Sequence, residues 1–395
     1  MTWAELQEQR RRRAEKQRRE EELREIAKGP IDLPFLLLVC LLTGIGLIML
    51  FSASFPRAYY DGLSPTHYLT RQGVFAIMGF CAILFISKIN YRRFRAFSKI
   101  LLLVSIVLLA MLMIPGVGIT RNNATRWLGV GESLTFQPSE IAKFAVVLYF
   151  SDSISQKKDK MRTLRYGILP YILILGVIAA LMMWQPHLSG TILIFGVGAI
   201  LMFVGGIHWL WVVVIGGAAI AAAYLLITGV IPYGQARIAM WFDPWIDAQG
   251  KGYQMVQSLI AIGSGGLLGT GLGKSRQKFL YLPEEHNDMI FSIICEELGL
   301  VGACIILLLF AALIIRGYWI ALHARDRFGG LLVVGCISLI AMQVFLNVGV
   351  VTGLLPATGI SLPFFSYGGT ALLIQMAEMG VILSVSRQMK PPKNG

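Results

Sequence analysis

The position of one carboxylate in the sequence, that of Asp288, suits a general base. Asp288 closes a polar run that includes Glu284 and His286, and a long apolar segment begins directly after it. A carboxylate at the boundary between water and membrane is partly desolvated, which raises its pKa and suits a general base. The alternative is that Asp288 only caps a helix and interacts with its dipole. The polar neighbours favour a functional site.

A second polar group precedes another apolar run. Arg126 and Trp127 lie shortly before a predicted helix start at Pro138, which is followed by Glu140 and Lys143. Glu140 and Lys143 are three residues apart, so they share a helix face and can form an ion pair. Such a pair could serve only to fix helix packing. Alternatively, Lys143 and Arg126 could present positive charge to an anionic head group.

Three cations alternate in a glycine-rich segment. In an extended chain Lys274, Arg276 and Lys278 would lie on one side. Clustered cations suit a phosphate or pyrophosphate, and we expect these three to be exposed and to steer substrate. Contacts with lipid head groups are the alternative. The glycines do not match a P-loop, because the GxxxxGK[ST] spacing is absent.

Two further segments carry polar residues next to apolar runs. His187 lies in a tight turn, where it could titrate or bind a partner, or could be a turn histidine with a satisfied hydrogen bond. Ser366 and Tyr367 lie in a Gly/Pro-rich segment that leads into the last apolar run. Non-helical backbone at membrane depth is tolerated only where protein or a cavity covers it.

Membrane helices must position these residues. The chain of 395 residues is 56% hydrophobic with a mean hydropathy of +0.67, and its apolar runs have the length that crosses a bilayer. We therefore predict an all-α polytopic integral membrane protein with about ten transmembrane helices. The predicted spans are residues 31–54, 71–89, 98–115, 138–154, 167–184, 189–206, 209–228, 288–315, 329–352 and 367–386.

The basic residues predict the topology. They concentrate in the N-terminal arm, in alternate turns and in the tail, so the positive-inside rule places both termini in the cytoplasm. The largest extracytoplasmic loop, residues 229–287, then joins spans 7 and 8. The predicted organisation is a charged cytoplasmic arm at 1–30, a membrane domain at 31–387 and a cytoplasmic tail at 388–395.

Charge and cysteine usage exclude other classes of protein. The net charge of +13 could suggest nucleic-acid binding, but the basic residues lie beside span ends, where they set topology. We therefore expect no nucleic-acid partner. The five cysteines lie inside apolar runs and form no CxxC pair, which predicts neither disulfides nor a metal site.

Taken in order, the motifs resemble the SEDS family of bacterial cell-wall synthesis, which comprises FtsW, RodA and SpoVE proteins. The resemblance runs from about Ile31 to Arg387 and is carried by Arg126-Trp127, Gln137-Pro138-Ser139-Glu140, Gly252-Tyr253-Gln254, Leu282-Pro283-Glu284 with Asp288, and Ser366-Tyr367-Gly368-Gly369. The charged arm and the segment around Lys274 to His286 are more similar to the FtsW branch, and a sporulation paralogue stays open. His187 and Met289 depart from the Asp and Phe that relatives commonly have.

The resemblance implies a peptidoglycan glycosyltransferase that polymerises lipid II into β-1,4 glycan strands with inversion, at the outer face of the bacterial cytoplasmic membrane and at the division septum. It also implies a cognate class B penicillin-binding protein and other divisome membrane proteins as partners. The family's catalytic aspartate falls on Asp288. Candidate substrate-binding residues are Arg126, Trp127, Glu140, Lys143, Lys274, Arg276, Lys278, Glu284, His286, Ser366 and Tyr367.

Two points stay open. No cofactor is firmly expected, but a leaving pyrophosphate needs positive charge, which Mg²⁺ or Mn²⁺ could add to that of lysine and arginine. A lipid II flippase, another transporter or a non-catalytic divisome scaffold are alternative functions. A flippase needs a charged path across the whole membrane, whereas the polar groups here cluster at the predicted outer face.

Overall fold

A computed structural model describes residues 29–121, 124–130, 134–211, 213, 214, 217 and 239–389. Most of the predicted arm at 1–30 and of the tail at 388–395 lies outside this part of the chain. The same holds for most of the predicted span at 209–228 and for residues 229–238 of the predicted outer loop.

The described residues are mostly helical. The long helices, numbered in chain order, are α1 (Leu33–Tyr60), α2 (His67–Lys88), α3 (Phe94–Met111), α4 (Pro138–Lys157), α5 (Leu169–Trp184), α6 (Leu188–Val204), α7 (Tyr253–Gly265), α8 (Ile290–Leu322), α9 (Arg327–Val351) and α10 (Gly369–Ser386). Short turns of 3₁₀-helix lie at Tyr91–Arg93, Lys158–Arg162 and Pro244–Asp247, and a π-helical turn at Leu164–Ile168.

Nine of the ten predicted spans coincide with helices, namely α1–α6 and α8–α10. In the described part of the chain, seven helical segments are long and apolar enough to cross a membrane, and α6 is a shorter apolar helix. The helix α4 has 20 residues but carries Glu140, Lys143 and Asp152, which lower its hydropathy. The chain is a multi-pass membrane protein.

The helices α9 and α10 form the centre of the bundle. In the apolar windows of these two helices 72% and 67% of residues are buried, compared with 22% in α2. A helix that is apolar on all sides must be surrounded by other helices or by lipid. The apolar surface of α2 therefore faces lipid, whereas α9 and α10 meet other helices.

Predicted cytoplasmic segments meet at one end of the bundle. Arg92, which precedes α3, contacts Asp326 before α9 with Nε 3.0 Å from Oδ2. Arg316 on α8 contacts Asp32 before α1 at 2.7 Å. Both contacts join segments that the positive-inside rule places on the same side, so the opposite helix ends form the predicted outer face.

A small antiparallel sheet adds to the predicted all-α architecture. Its strands are β1 (Ile119–Arg121), β2 (Ala124–Val130) and β3 (Leu134–Phe136), in the order β1-β2-β3. Ile119 pairs with Trp127, and Leu128 pairs with Phe136. The strand β2 contains two β-branched residues, Thr125 and Val130, and also Trp127, and these residue types suit strands. The sheet lies before α4 and holds Arg126 and Trp127.

Part of the predicted outer loop docks onto a break in α8. Gly299 has φ 65° and ψ −172°, and a Cβ there would lie 2.3 Å from the Gly269 amide nitrogen. The amides of Leu300 and Val301 donate to the carbonyls of Gly266 and Leu267 at 2.9 and 3.1 Å. These bonds satisfy the backbone groups that the break frees, as a membrane interior requires.

Candidate active site

A cavity of about 680 Å³ opens among the predicted outer helix ends. Eight of the twelve predicted site residues line it. They come from the sheet, from α4, from the turn before α8 and from the segment before α10: Arg126, Trp127, Glu140, Lys143, Glu284, His286, Asp288 and Tyr367.

A tight turn sets the position of Asp288. The amides of Asn287 and Met289 donate to the carbonyl of Glu284 at 3.1 and 3.2 Å. Glu284 has φ 57°, a left-handed conformation that costs energy in a non-glycine residue and that often accompanies functional sites. The N-cap position of α8 belongs to Met289, so Asp288 is not the capping residue of this helix.

Three successive carbonyls hold this turn against the C-terminal part of the chain. The carbonyls of residues 286, 287 and 288 accept hydrogen bonds from the Tyr367 amide at 2.9 Å, the Ser366 hydroxyl at 2.6 Å and the Asn347 side-chain amide at 2.7 Å. Asn347 also donates to the Ile360 carbonyl at 2.7 Å. The backbone of Asp288 is therefore fixed from α9 and from the segment before α10.

The Ser366 hydroxyl links the Asp288 turn to the segment before α10. Its hydroxyl donates to the Asn287 carbonyl and accepts from the Leu362 amide at 2.8 Å. Ser366 is buried and does not line the cavity, whereas Tyr367 does. These contacts support the Asp288 turn, and the predicted contact of Ser366 with substrate stays a prediction.

The surroundings of Asp288 favour its protonated form. Burial raises the pKa of Asp288 to about 7, and the nearby Glu284 carboxylate adds to this rise, while His286 opposes it. The backbone of Gly359 closes one side, because a Cβ there would lie 3.2 Å from Oδ2 of Asp288. A carboxylate with a pKa near neutrality has the basicity of an efficient general base.

The opposite wall is formed by α4 and the sheet. Lys143 Nζ lies 2.8 Å from Glu140 Oε2, so the predicted ion pair is present. Arg126 donates to the carbonyls of Gln185 and Pro186 in the turn between α5 and α6. The cations Arg126 and Lys143 thus line this part of the cavity, where Lys143 is paired with Glu140.

His187 lies between these cations and stays neutral. Its pKa falls to about 3 because the ring is buried and because Arg126 and Lys143 are close. Nε2 lies 3.4 Å from the Gln137 amide nitrogen, but Nδ1 has no hydrogen-bond partner within the described ranges. The histidine is therefore only partly satisfied.

The three alternating cations do not act as one surface. Lys278 is 3% exposed, and its Nζ lies 2.8 Å from Glu297 Oε1 and 3.1 Å from Ser52 Oγ. The expectation of an exposed, steering Lys278 is wrong, because residues 276–280 form a bend and a turn rather than an extended strand. Lys274 and Arg276 are exposed, as expected, but they do not line the cavity.

The sequence interpretation missed several residues of the cavity, among them two arginines and a tyrosine. Arg57 and Arg71 line it from α1 and α2, and Arg57 also pairs with Asp61 at 3.1 Å. Tyr68 packs against His286 and Tyr367 with ring centroids 4.7 and 5.0 Å apart. Arginines at span ends were interpreted only as topology signals, and their position beside an outer loop was the sign that could have identified them.

A bound divalent cation stays a prediction. In the described part of the chain no three His, Cys, Asp or Glu side chains group together as metal ligands. Substrate phosphates would supply ligands to such an ion, and the carboxylates that line the cavity are those of Glu140, Glu284, Glu285 and Asp288.

Relatives cover nearly the whole chain. Stage V sporulation protein E of Bacillus subtilis is 43% identical over 357 residues, which cover 90% of this chain and 97% of that protein. The protein named probable peptidoglycan glycosyltransferase FtsW of Geobacter metallireducens is 37% identical over 362 residues, covering 91% and 95%.

Solved structures share the fold. RodA, the rod shape determining protein of Thermus thermophilus, has a TM-score of 0.67 and 27% identity, covering 92% of this chain and 98% of that one. A chain from the work described as "Structural coordination of polymerization and crosslinking by a peptidoglycan synthase complex" has a TM-score of 0.75 and 28% identity, covering 91% and 98%.

The sequence model described as "Cell cycle protein", built on FtsW, RodA and SpoVE, matches residues 33–391. The match includes the β2 strand, the start of α4, the Asp288 turn and the segment before α10, which together line the cavity. The chain therefore belongs to the FtsW/RodA/SpoVE family.

Proposed function

We propose that this chain is a peptidoglycan glycosyltransferase that polymerises lipid II at the outer face of the cytoplasmic membrane. The observation that carries the proposal is the position of Asp288. Its carboxyl lines a cavity at the predicted outer helix ends, its pKa is raised to about 7, and cations occupy the opposite wall. Relatives that are named probable peptidoglycan glycosyltransferases support the same reaction class.

The proposed reaction is a single displacement. Asp288 takes the proton of the GlcNAc 4-hydroxyl of one lipid II molecule, and that oxygen attacks the anomeric carbon of the MurNAc that ends the growing chain. The bond to the pyrophosphate oxygen breaks, and undecaprenyl pyrophosphate leaves. An α-linked donor that gives a β-1,4 product requires one inversion, for which one base is sufficient.

The charges of the cavity fit this displacement. Negative charge develops on the leaving pyrophosphate, and fixed cations in a partly desolvated site stabilise such charge. Arg126 and Lys143 supply positive charge on one wall of the cavity, and Arg57 and Arg71 supply it on another. The anionic substrates would raise the pKa of Asp288 further.

The proposal also includes a partner protein and a cellular role. A family neighbour comes from a peptidoglycan synthase complex that couples polymerisation and crosslinking, which supports a class B penicillin-binding protein as partner. We infer a role in septal wall synthesis. The relatives include both a sporulation protein and FtsW proteins, so complementation of strains depleted of each paralogue would separate division from sporulation.

The testing experiment is polymerisation of lipid II by the purified chain together with its partner. The Asp288→Asn variant should lose about 10²–10⁴ in rate, because a general base contributes about that much. Asp243→Asn is the matched control, since Asp243 is an exposed carboxylate outside the cavity lining. Normal polymer from Asp288→Asn would contradict the assignment, and lipid II transport without polymer would favour the flippase.

A further inference from the structure

The turn between α4 and α5 carries more cations than carboxylates. Residues 157–165 contain one carboxylate, Asp159, and five cations, which are Lys157, Lys158, Lys160, Arg162 and Arg165. The last three are exposed, and none of these three forms an ion pair within the described chain. A surplus of positive charge on a protein surface attracts an anionic partner.

Three carboxylates at the same end of the bundle contact other arginines. Arg95 at the start of α3 lies with Nε 2.9 Å from Oδ1 of Asp152, which is on α4 shortly before the turn. The Ser98 hydroxyl also donates to Asp152 at 3.0 Å. Asp32 and Asp326 make the arginine contacts described above. These carboxylates therefore do not balance the charge of the turn, which is open to a ligand.

Internal contacts give the turn a fixed shape. Lys157 Nζ donates to the Tyr166 carbonyl at 2.8 Å. Gly167 packs so closely on the Met161 carbonyl that a Cβ at this position would collide with it. Met161 is fully buried, and its sulfur lies 3.6 Å from the Tyr171 hydroxyl. A turn that is already ordered can bind a ligand without the entropy cost of ordering a loop.

Exposed apolar side chains lie next to these cations. Leu164, Tyr166 and Leu169 are each about half exposed, and Ile172 and Leu173 continue this surface along α5. The helical segment Leu164–Trp184 is apolar enough to cross a membrane, so its exposed apolar side chains face lipid. Cations about one helical turn from lipid-facing side chains lie at the depth of the lipid head groups.

The Tyr166 ring brings two of the cations together. Lys160 Nζ lies 6.0 Å and Arg165 Cζ lies 5.8 Å from the centroid of this ring. Both distances are near the limit of a cation–π contact, so the ring groups the two cations without neutralising them. Tyrosine is also enriched where protein meets the membrane–water interface. The turn thus combines grouped cations with an interfacial aromatic side chain.

We propose that this basic turn, formed by Lys160, Arg162, Leu164, Arg165 and Tyr166, binds an anionic phospholipid of the cytoplasmic leaflet. The cations contact the lipid phosphate, and the apolar side chains contact the acyl chains. The negative surface potential of that leaflet attracts basic segments near the membrane. A free anion would use the cations but not the exposed apolar side chains, whereas a phospholipid uses both. The basic turn lies at the opposite end of the bundle from the cavity, so the inference does not depend on the proposed function.

The test is photo-crosslinking of the purified full-length chain in a neutral detergent. The probe is a phosphatidylglycerol with a photoreactive acyl chain, and the adducts are mapped by peptide mass spectrometry. Adducts should form within residues 160–173, and unlabelled phosphatidylglycerol should prevent them. Phosphatidylcholine with the same acyl chains should compete at least about tenfold less well, because it carries no net charge. Equal competition by phosphatidylcholine or by inorganic phosphate, or adducts only elsewhere in the chain, would overturn the proposal.

Charge removal tests the same site. Each cation should contribute about fivefold to the affinity for phosphatidylglycerol, so Arg165→Gln should weaken it by about fivefold and Lys160→Gln/Arg162→Gln/Arg165→Gln by about 10². Arg325→Gln is the matched control, because it removes an exposed cation from the turn between α8 and α9 at the same end of the bundle. It should leave labelling of the basic turn unchanged.

Exposed cations contribute little to stability, so these variants should unfold at the wild-type temperature in lipid-free detergent. Wild-type affinity in the folded triple variant, or an equal loss in Arg325→Gln, would overturn the basic turn as the lipid site.

Discussion

Lys143–Glu140 and Lys278–Glu297 are two buried ion pairs with the same geometry. In both pairs the lysine Nζ lies 2.8 Å from a carboxylate oxygen. In both pairs the two side chains are almost completely removed from solvent. Distance and burial alone would assign them the same role.

The two ion pairs differ in their surroundings. Glu297 also accepts hydrogen bonds from the Ser52 hydroxyl at 2.7 Å and from the Ser275 amide at 3.3 Å, so this pair is enclosed by partners that tie the loop to α8 and α1. Lys143 and Glu140 line the cavity instead. Only the Lys143–Glu140 pair can offer charge to a substrate, which shows that access to a cavity, and not burial, marks the functional pair.

The largest effect that tests this comparison is on stability. Lys278→Met should lower the free energy of unfolding by about 3–5 kcal/mol, because it leaves Glu297 as an uncompensated buried charge. Thermal unfolding in detergent would measure it. The double variant Lys278→Met/Glu297→Leu should regain most of the loss, and Lys274→Met, an exposed change, should stay within about 0.5 kcal/mol of wild type. A double variant as unstable as the single one would contradict the assignment.

Replacing the lysine by methionine in the Lys143–Glu140 pair should reduce activity. Lys143→Met should lower the rate of polymerisation by about 10², as the loss of one electrostatic stabiliser does. Its stability loss should be smaller than that of Lys278→Met, since water in the cavity can reach Glu140. The measurement is polymer formed per folded molecule. The double variant Lys143→Met/Glu140→Leu should stay inactive, and recovered activity would show that this pair is structural as well.

A smaller effect is expected on the free energy of unfolding, which the buried Asp288 carboxyl lowers as pH rises. Its folded pKa of about 7 lies above the ordinary value of 3.8, so the folded state binds the proton more tightly and loses stability as pH rises between these values. Asp288→Asn removes this loss. At pH 8 the variant should be more stable than wild type by about 1–2 kcal/mol, a figure reduced for water in the cavity. At pH 5 the gain should shrink, and a gain independent of pH would contradict this explanation.

The smallest effect is expected from the exposed loop. Lys274→Ala should raise the KM for lipid II by about two- to threefold at low salt, because exposed charges steer substrate only weakly. The difference should disappear as ionic strength rises. Initial rates at two salt concentrations would measure it, and a loss of turnover rate that salt does not change would place Lys274 in the reaction itself.

Much of the fold could be predicted from the sequence, because long apolar runs have few alternatives in a membrane. The predicted spans match α1–α6 and α8–α10 with ends that differ by up to seven residues. The sheet before α4 was not predicted, since its strands of three to seven residues are too short to show a period. The break at Gly299 was also not predicted, because a single glycine in an apolar run has many explanations.

Only part of the site could be predicted from the sequence, and the reason is physical. Asp288 and Lys143 stand near the starts of predicted spans, and Arg126 lies in the outer loop before the span of Lys143, so their place near the outer face follows from the hydropathy pattern. The position of the Lys278 side chain depends on the local backbone conformation. Cations that alternate in a sequence do not show that the chain is extended there. Asn347 supports Asp288 from near the C-terminal end of α9, and only the tertiary structure brings these two residues together.

The pH dependence of polymerisation at saturating lipid II tests the central claim most directly. If Asp288 is the base, the rate should rise with pH through an acid limb at about pH 7 or above, because its pKa is about 7 before anionic substrates raise it further. Asp288→Glu, which keeps a carboxylate in a different place, should retain residual activity with a displaced acid limb. A rate that is constant from about pH 5 upward, with the ordinary acid limb of an exposed carboxylate, would contradict Asp288 as the general base.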